Sequence, residues 1–211
     1  MIRFKGRVRK RGIILTAAAT ALAVLVIIFI VRACTPSREI DRLATEALGI
    51  PVHNVILPKG NIARPGIERE IKYVVIHETD NTARGSGARR HSDFLQNNNT
   101  SKTSWHYTVD DHEIYHHIPN NEIAWHAGDM RNKDGGNLNG IGVELCVNSD
   151  GDFEKTFDNA ARLTAYLLNE YDLSVDDVRQ HADFIDKNCP EHIRDSNRMD
   201  EFKSLVKKYM N

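Results

Sequence analysis

Three side chains that lie far apart in the sequence are of the types that bind zinc. His77 ends the apolar stretch "YVVIH", and His181 and Cys189 both lie in "HADFIDKNCP". Imidazole nitrogen and thiolate sulfur bind zinc at about 2.0–2.1 and 2.3 Å. Structural zinc sites usually show close pairs such as C-x-x-C, which this sequence lacks, whereas three scattered ligands leave one tetrahedral position open for solvent. Spacing alone also allows the simpler interpretation that each histidine is hydrogen-bonded in the core.

Two charged residues could complete the chemistry of such a site. Glu144 lies in "IGVELCV", residues 141–147, where apolar residues alternate and the carboxylate faces the opposite side of a predicted strand. Such a carboxylate either forms a structural ion pair or acts as a general base. Lys187 precedes Cys189 by two residues, where its cation could stabilise a developing oxyanion or form an ordinary salt bridge.

The cysteines leave two interpretations open. The chain has three cysteines, Cys34, Cys146 and Cys189. In an exported protein this odd number predicts either one disulfide and a free thiol, or thiols with another use. A disulfide between Cys146 and Cys189 would remove the thiolate that a metal ion needs. The disulfide and the metal site therefore exclude each other.

The elements that would position these residues alternate between strand and helix. Residues 73–77 are a short apolar run typical of a buried strand. "SWHYTVD" and "EIYHHI" each alternate, on either side of a turn, and predict a hairpin. The spacing of the residues predicts helices over 87–97, 157–171 and 199–209. In the first of these, Ala88, His91, Phe94 and Leu95 are expected on one face. The sequence therefore predicts an α/β fold with a mixed central β-sheet flanked by helices.

The N-terminal part of the chain differs from the rest. Residues 1–12 carry six basic side chains and no acid, although the whole chain has a formal net charge of −1, so nothing indicates a nucleic-acid-binding surface. Residues 13–31 carry no charge and as a helix would be about 28 Å long, close to the roughly 30 Å of a bilayer core. We expect a cytoplasmic tail over 1–12, a transmembrane helix over 13–32, a linker over 33–52 and an extracytoplasmic domain over 53–211. A cleaved signal peptide is the alternative for this segment.

Five motifs in a fixed order make the sequence resemble a known family. They are "YVVIHETDNTARGSGARRH", "NTSKTSWHYTVDDHEIYHHIP", "AWHAGD", "NGIGVELCVN" and "RQHADFIDKNCP". This order is similar to that of the type-2 N-acetylmuramoyl-L-alanine amidases, the zinc family that includes bacterial autolysins, phage endolysins and peptidoglycan-recognition proteins. The resemblance covers roughly residues 53–211.

The resemblance implies a role for each candidate residue. His77, His181 and Cys189 match the zinc ligands. Glu144 matches the catalytic glutamate and Lys187 the lysine near the third ligand. The implied substrate-binding residues are His126, from "AWHAG", and Trp105, which stands where some members carry a catalytic tyrosine.

The implied activity is hydrolysis of peptidoglycan at the amide between N-acetylmuramic acid and L-alanine, with a zinc ion as cofactor. Peptidoglycan is then the substrate partner, and the N-terminal helix would hold the enzyme at the cell membrane, facing the wall. A non-catalytic peptidoglycan-binding receptor on the same fold is the main alternative, although such members typically lack the cysteine ligand. A zinc peptidase that cuts within the stem peptide is a third possibility.

Overall fold

A six-stranded mixed sheet forms the centre of the fold. The computed structural model describes residues 44–98 and 100–211. The strands are β1 Val52–Asn54, β2 Tyr73–Glu78, β3 Tyr107–Val109, β4 Ile114–His116, β5 Gly140–Leu145 and β6 Val178–Gln180. Their order across the sheet is β1-β4-β3-β5-β2-β6. Among the strands in the described residues, only the β3–β4 pair is antiparallel. The pairs β1–β4, β3–β5, β2–β5 and β2–β6 are parallel.

Helices cover both faces of this sheet. They are α1 Ala88–Asn97, α2 Gly136–Asn139, α3 Phe153–Glu170, α4 Glu191–Asp195 and α5 Met199–Met210. Ile141 and Val143 of β5 share the main core with Phe157 of α3. Cys146, one residue past β5, lies in a separate cluster with Ala88 of α1. Neighbouring side chains along a strand face opposite sides of the sheet, so α3 and α1 lie on opposite faces. The predicted mixed sheet flanked by helices is confirmed.

The 18-residue helix α3 forms where the sequence supplies both a cap and an apolar stripe. The Asp152 side chain accepts a hydrogen bond from the Lys155 backbone N–H at 3.2 Å, which satisfies one of the unpaired amides at a helix start. The buried stripe of α3 then packs against α5, where the Phe157 and Phe202 rings lie 5.2 Å apart. These two helices close the main core.

One detail of α1 differs from the prediction. Phe94 is 53% exposed, whereas Ala88, His91, Ser92 and Leu95 are buried. The buried residues follow the i, i+3, i+4, i+7 spacing of a single helical stripe, and Phe94 lies outside it. Its placement on the same face as the buried residues was therefore wrong.

The folded domain begins earlier than the sequence predicted. Residues 44–48 are helical, and Leu48 and Ile50 are buried in the main core beside Val52. The expected linker over 33–52 therefore includes residues that belong to the domain. Within residues 44–98 and 100–211 no helix is long and apolar enough to cross a bilayer; the predicted span over 13–32 lies outside the described residues.

Candidate metal centre and catalytic carboxyl

The site lies where three parallel strands reach the same edge of the sheet. His77 of β2 is directly opposite Glu144 of β5 in the strand register. On the other side of β2, Ile76 is opposite Gln180, the last residue of β6, so His181 follows at the same level. Carboxyl ends of parallel strands are the usual place for ligand sites in α/β sheets. The register thus brings together residues that lie about a hundred positions apart in the chain.

The three predicted ligands converge on one point. His77 Nδ1 lies 3.0 Å from His181 Nδ1 and 3.9 Å from Cys189 Sγ, and all three donor atoms are within 4.8 Å of one another. A tetrahedral zinc ion would separate two nitrogens by about 3.3 Å and a nitrogen from a sulfur by about 3.6 Å. The two distances from His77 Nδ1 each differ from these values by about 0.3 Å, so the three donors can share one ion.

Burial sets the charge of these three groups. It lowers the pKa of His77 well below its usual value and, with Lys187 nearby, lowers the pKa of His181 to about 4. Both rings are thus neutral, the form that binds a metal. Burial also raises the pKa of Cys189 to about 12, so its thiolate needs a neighbouring cation to be stable. The donor set fits a divalent metal ion.

Glu144 supplies an acid or base beside these donors. Its Oε1 lies 4.0 Å from His77 Nδ1, and its buried Oε2 has no hydrogen-bond partner among the described residues. Burial raises the pKa of this carboxyl to about 8, while the charge of Lys187 acts in the opposite direction. A carboxyl with a free oxygen and a pKa near neutrality can accept and return a proton.

A cleft opens beside the donors and gives access from solvent. Its volume is about 300 Å³, and Cys189, Lys187, Asp80 and Thr82 are among the residues that line it. Lys187 is exposed, and its ammonium is close enough to influence the pKa values of Glu144 and His181. The structure therefore places the predicted cation at the mouth of the site.

Within the described residues, no disulfide joins Cys146 to Cys189. Cys146 and Cys189 are both free thiols, and Cys146 lies in the cluster with Ala88 and Tyr115. Cys34 lies outside the described residues.

His126, which the resemblance assigned to substrate binding, lies behind the metal donors. Its side chain is buried, at 7% exposure. Its Nδ1 lies 2.9 Å from His77 Nε2, and its Nε2 lies 3.1 Å from the Gly140 carbonyl oxygen. Both ring nitrogens thus have protein partners, which leaves none for a substrate.

Trp105 also differs from the expectation. It is 7% exposed and packs in a second hydrophobic cluster with Leu57, Leu95 and Ile118. Its indole N–H donates to Thr108 Oγ1 at 2.6 Å. Its apolar surface is covered and its only donor is used, so Trp105 contributes to core packing in this structure.

Sequence reasoning missed the role of Glu78. It was not among the candidate residues, but it is the last residue of β2 and is 5% exposed. Its carboxylate accepts the backbone N–H of His192 at 2.9 Å and that of Ile193 at 3.1 Å. These amides belong to the first turn of α4, directly after Cys189. The sequence signal for this role was an acidic residue directly after His77, in continuation of the same strand.

The fold and the site together define a class, an α/β domain with a three-donor metal site and a buried carboxyl at the carboxyl edge of its sheet. The model of the N-acetylmuramoyl-L-alanine amidase family matches residues 67–192. The chain belongs to this family.

Individual relatives agree with the family match. The chain is 42% identical over 146 residues to N-acetylmuramoyl-L-alanine amidase CwlH of Bacillus subtilis (strain 168), covering 69% of this chain and 58% of that protein. It is 43% identical over 150 residues to N-acetylmuramoyl-L-alanine amidase XlyA of the same organism, covering 71% of this chain and 49% of XlyA. The chain therefore spans about half the length of the curated relatives it matches.

Solved structures show the same fold. The catalytic domain of XlyA superposes with a TM-score of 0.70 at 40% identity, covering 74% of this chain and 99% of that domain. PlyL superposes with a TM-score of 0.67 at 26% identity, covering 74% of this chain and 96% of PlyL.

Proposed function

We propose that this chain is a zinc-dependent peptidoglycan hydrolase that cleaves the amide between N-acetylmuramic acid and L-alanine of the stem peptide. The observation that carries the proposal is the convergence of His77, His181 and Cys189, with donor atoms within 4.8 Å of one another, beside the carboxyl of Glu144. The names of the relatives, which are N-acetylmuramoyl-L-alanine amidases, support the choice of bond.

His77, His181 and Cys189 would hold the zinc ion. When bound, the ion supplies Lewis acidity and lowers the pKa of a bound water from 15.7 towards about 7. Glu144 accepts a proton from the attacking water, for which its unpartnered Oε2 is available. It then returns this proton to the departing alanine nitrogen, so that the amide is replaced by a carboxylate and an amine.

Lys187 would stabilise the negative charge that develops on the former amide oxygen. Its exposed side chain lines the cleft next to Cys189, so a substrate in this cleft comes within reach of the ammonium. Removing one donor of this kind typically costs roughly 3–4 kcal/mol of transition-state stabilisation.

Product analysis of digested peptidoglycan tests the function. We expect purified chain to release intact stem peptides that begin with alanine, and a chelator to stop their release until zinc is restored. Mass analysis separates the alternatives, because a peptidase would shorten the stem peptides and a non-catalytic receptor would release none. Either of these two results would contradict the proposal.

We also propose that residues 13–32 anchor the enzyme in the cell membrane, with its domain facing the wall. The uncharged stretch preceded by six basic residues supports this orientation. In intact protoplasts, added protease should remove the domain and leave the N-terminal tail protected. Recovery of the domain in the soluble fraction would contradict the anchor.

A further inference from the structure

We propose that His126 is a positioning residue that sets the protonation pattern of the metal ligand His77. It does so through a hydrogen-bonded chain from the Gly140 carbonyl oxygen to His126 Nε2, and from His126 Nδ1 to His77 Nε2. This inference rests on the proposed metal site but not on the identity of the substrate.

The chain has a direction because a carbonyl oxygen only accepts hydrogen bonds. His126 Nε2, 3.1 Å from the Gly140 oxygen, must therefore carry the proton of its ring. In a neutral ring Nδ1 is then the acceptor, and the hydrogen bond of 2.9 Å to His77 must be donated by His77 Nε2. The lone pair of His77 is left on Nδ1, the atom that faces His181 and Cys189.

The opposite arrangement would disable the site. In the other neutral tautomer, His126 would donate from Nδ1, so His77 Nε2 would have to accept and its proton would move to Nδ1. That proton would point at the other two donors and block the position of the ion. That tautomer would leave the lone pair of His126 Nε2 facing the Gly140 oxygen, which has no proton to donate and already accepts from Arg69 at 2.9 Å.

The surroundings of His126 hold its ring in this one orientation. Asn137 Oδ1 accepts the backbone N–H groups of His126 and Ala127 at 2.8 and 2.7 Å. On the other side, Gly142 leaves room for the ring, because a Cβ at that position would lie 2.7 Å from His126 Cγ. Hydrogen bonds of this kind to metal-bound histidines typically contribute 10–100-fold to metal affinity.

A matched pair of substitutions tests the role. His126→Asn keeps a hydrogen-bond acceptor at the position of Nδ1, whereas His126→Leu has a similar size and shape but no acceptor. Zinc affinity of the full chain, measured by competition with a chromophoric chelator, should fall 10–100-fold in His126→Leu and less than about threefold in His126→Asn. Wild-type affinity in His126→Leu would overturn the proposal, and so would an equal loss in both variants, which would indicate a packing effect.

A measurement on the wild-type chain removes any dependence on how the variants fold. In the zinc-loaded protein, nitrogen-15 NMR of the histidine rings should find the protons of His77 and His126 on Nε2, with a coupling across the hydrogen bond between the two rings. A proton on His126 Nδ1 would overturn the proposal. If wild-type protein with these signals released no stem peptides, the proposed hydrolase activity would fail while the role of His126 would stand.

Discussion

At the scale of single residues, the site combines four groups that burial drives towards their neutral forms. It lowers the pKa values of His77 and His181 and raises those of Cys189 and Glu144. Neutral imidazoles are ready to bind a metal, but a thiol with a pKa of about 12 is not. A divalent cation removes this conflict, since it stabilises the thiolate. A bound divalent cation therefore explains why these four buried groups lie together.

Replacing Cys189 should remove metal binding and activity together. We expect Cys189→Ser to bind zinc at least tenfold more weakly and to lose turnover in proportion, because one of three protein ligands is exchanged for a poor one. Cys146→Ala is the matched control, as Cys146 is also a buried free thiol but lies away from the donors. Zinc stoichiometry by atomic emission and product assays measure both effects. Full zinc occupancy in Cys189→Ser would contradict the ligand assignment.

Replacing Glu144 should separate metal binding from catalysis. Glu144→Gln keeps the shape of the side chain but cannot take a proton, so we expect zinc occupancy to remain and turnover to fall by about 10²–10⁴-fold. The free energy of unfolding should not fall, because the amide has no charge to bury. Turnover within tenfold of wild type would show that another group is the base.

At the scale of elements, strand register determines which residues meet. The strands β2 and β5 and the helices α3 and α5 follow from the alternation and helical spacing of their residues. The position of β2 between β5 and β6 could not be predicted in this way, because the order of strands depends on long-range packing that no local pattern encodes. Position in the sheet explains why His77 meets Glu144 and His181, whereas the sequence could suggest this only through resemblance.

The last residue of β2 should stabilise the segment that carries Cys189. In Glu78→Gln the two amides of α4 lose a charged acceptor, and we expect the free energy of unfolding to fall by about 1.5–3 kcal/mol and zinc affinity to fall with it. Glu191→Gln is a suitable control, since Glu191 lies in the same segment but is exposed. Urea unfolding and chelator competition give the two values. Equal free energies of unfolding and equal zinc affinities in the two variants would exclude this stabilising role of Glu78.

An ion pair between two loops should make stability depend on pH. Arg64 donates to both oxygens of Glu122, one contact being Nε to Oε2 at 2.8 Å, and this hydrogen bonding lowers the pKa of Glu122. A carboxyl with a lowered pKa stabilises the fold above its unfolded pKa of about 4.3, and this contribution is lost as the pH falls through the folded pKa.

The substitution Glu122→Gln tests this pH dependence by comparison with the wild-type chain. We expect it to unfold about 1.5–3 kcal/mol more easily than wild type at pH 7, with a difference that shrinks below pH 4. Glu68→Gln, an exposed carboxyl in a neighbouring segment, should show no such pattern. A difference that stayed constant down to pH 3 would rule out ionisation as the cause.

At the scale of the whole molecule, the fold class was predictable and the environment of each side chain was not. Trp105 and His126 both lie in motifs of the family, yet both are buried. A motif preserves the residues that build a site as well as those that touch substrate, and only the three-dimensional contacts distinguish them. The early start of the domain has a similar cause, because Leu48 and Ile50 reach the core from a segment of mixed composition.

The central claim is that two imidazoles and one thiolate of this chain bind a single zinc ion. X-ray absorption spectroscopy of the zinc-loaded chain measures this directly. We predict one sulfur at about 2.3 Å and three nitrogen or oxygen atoms at about 2.0–2.1 Å, with the sulfur contribution lost in Cys189→Ser. A zinc environment of nitrogen and oxygen only in the wild-type chain would contradict the account.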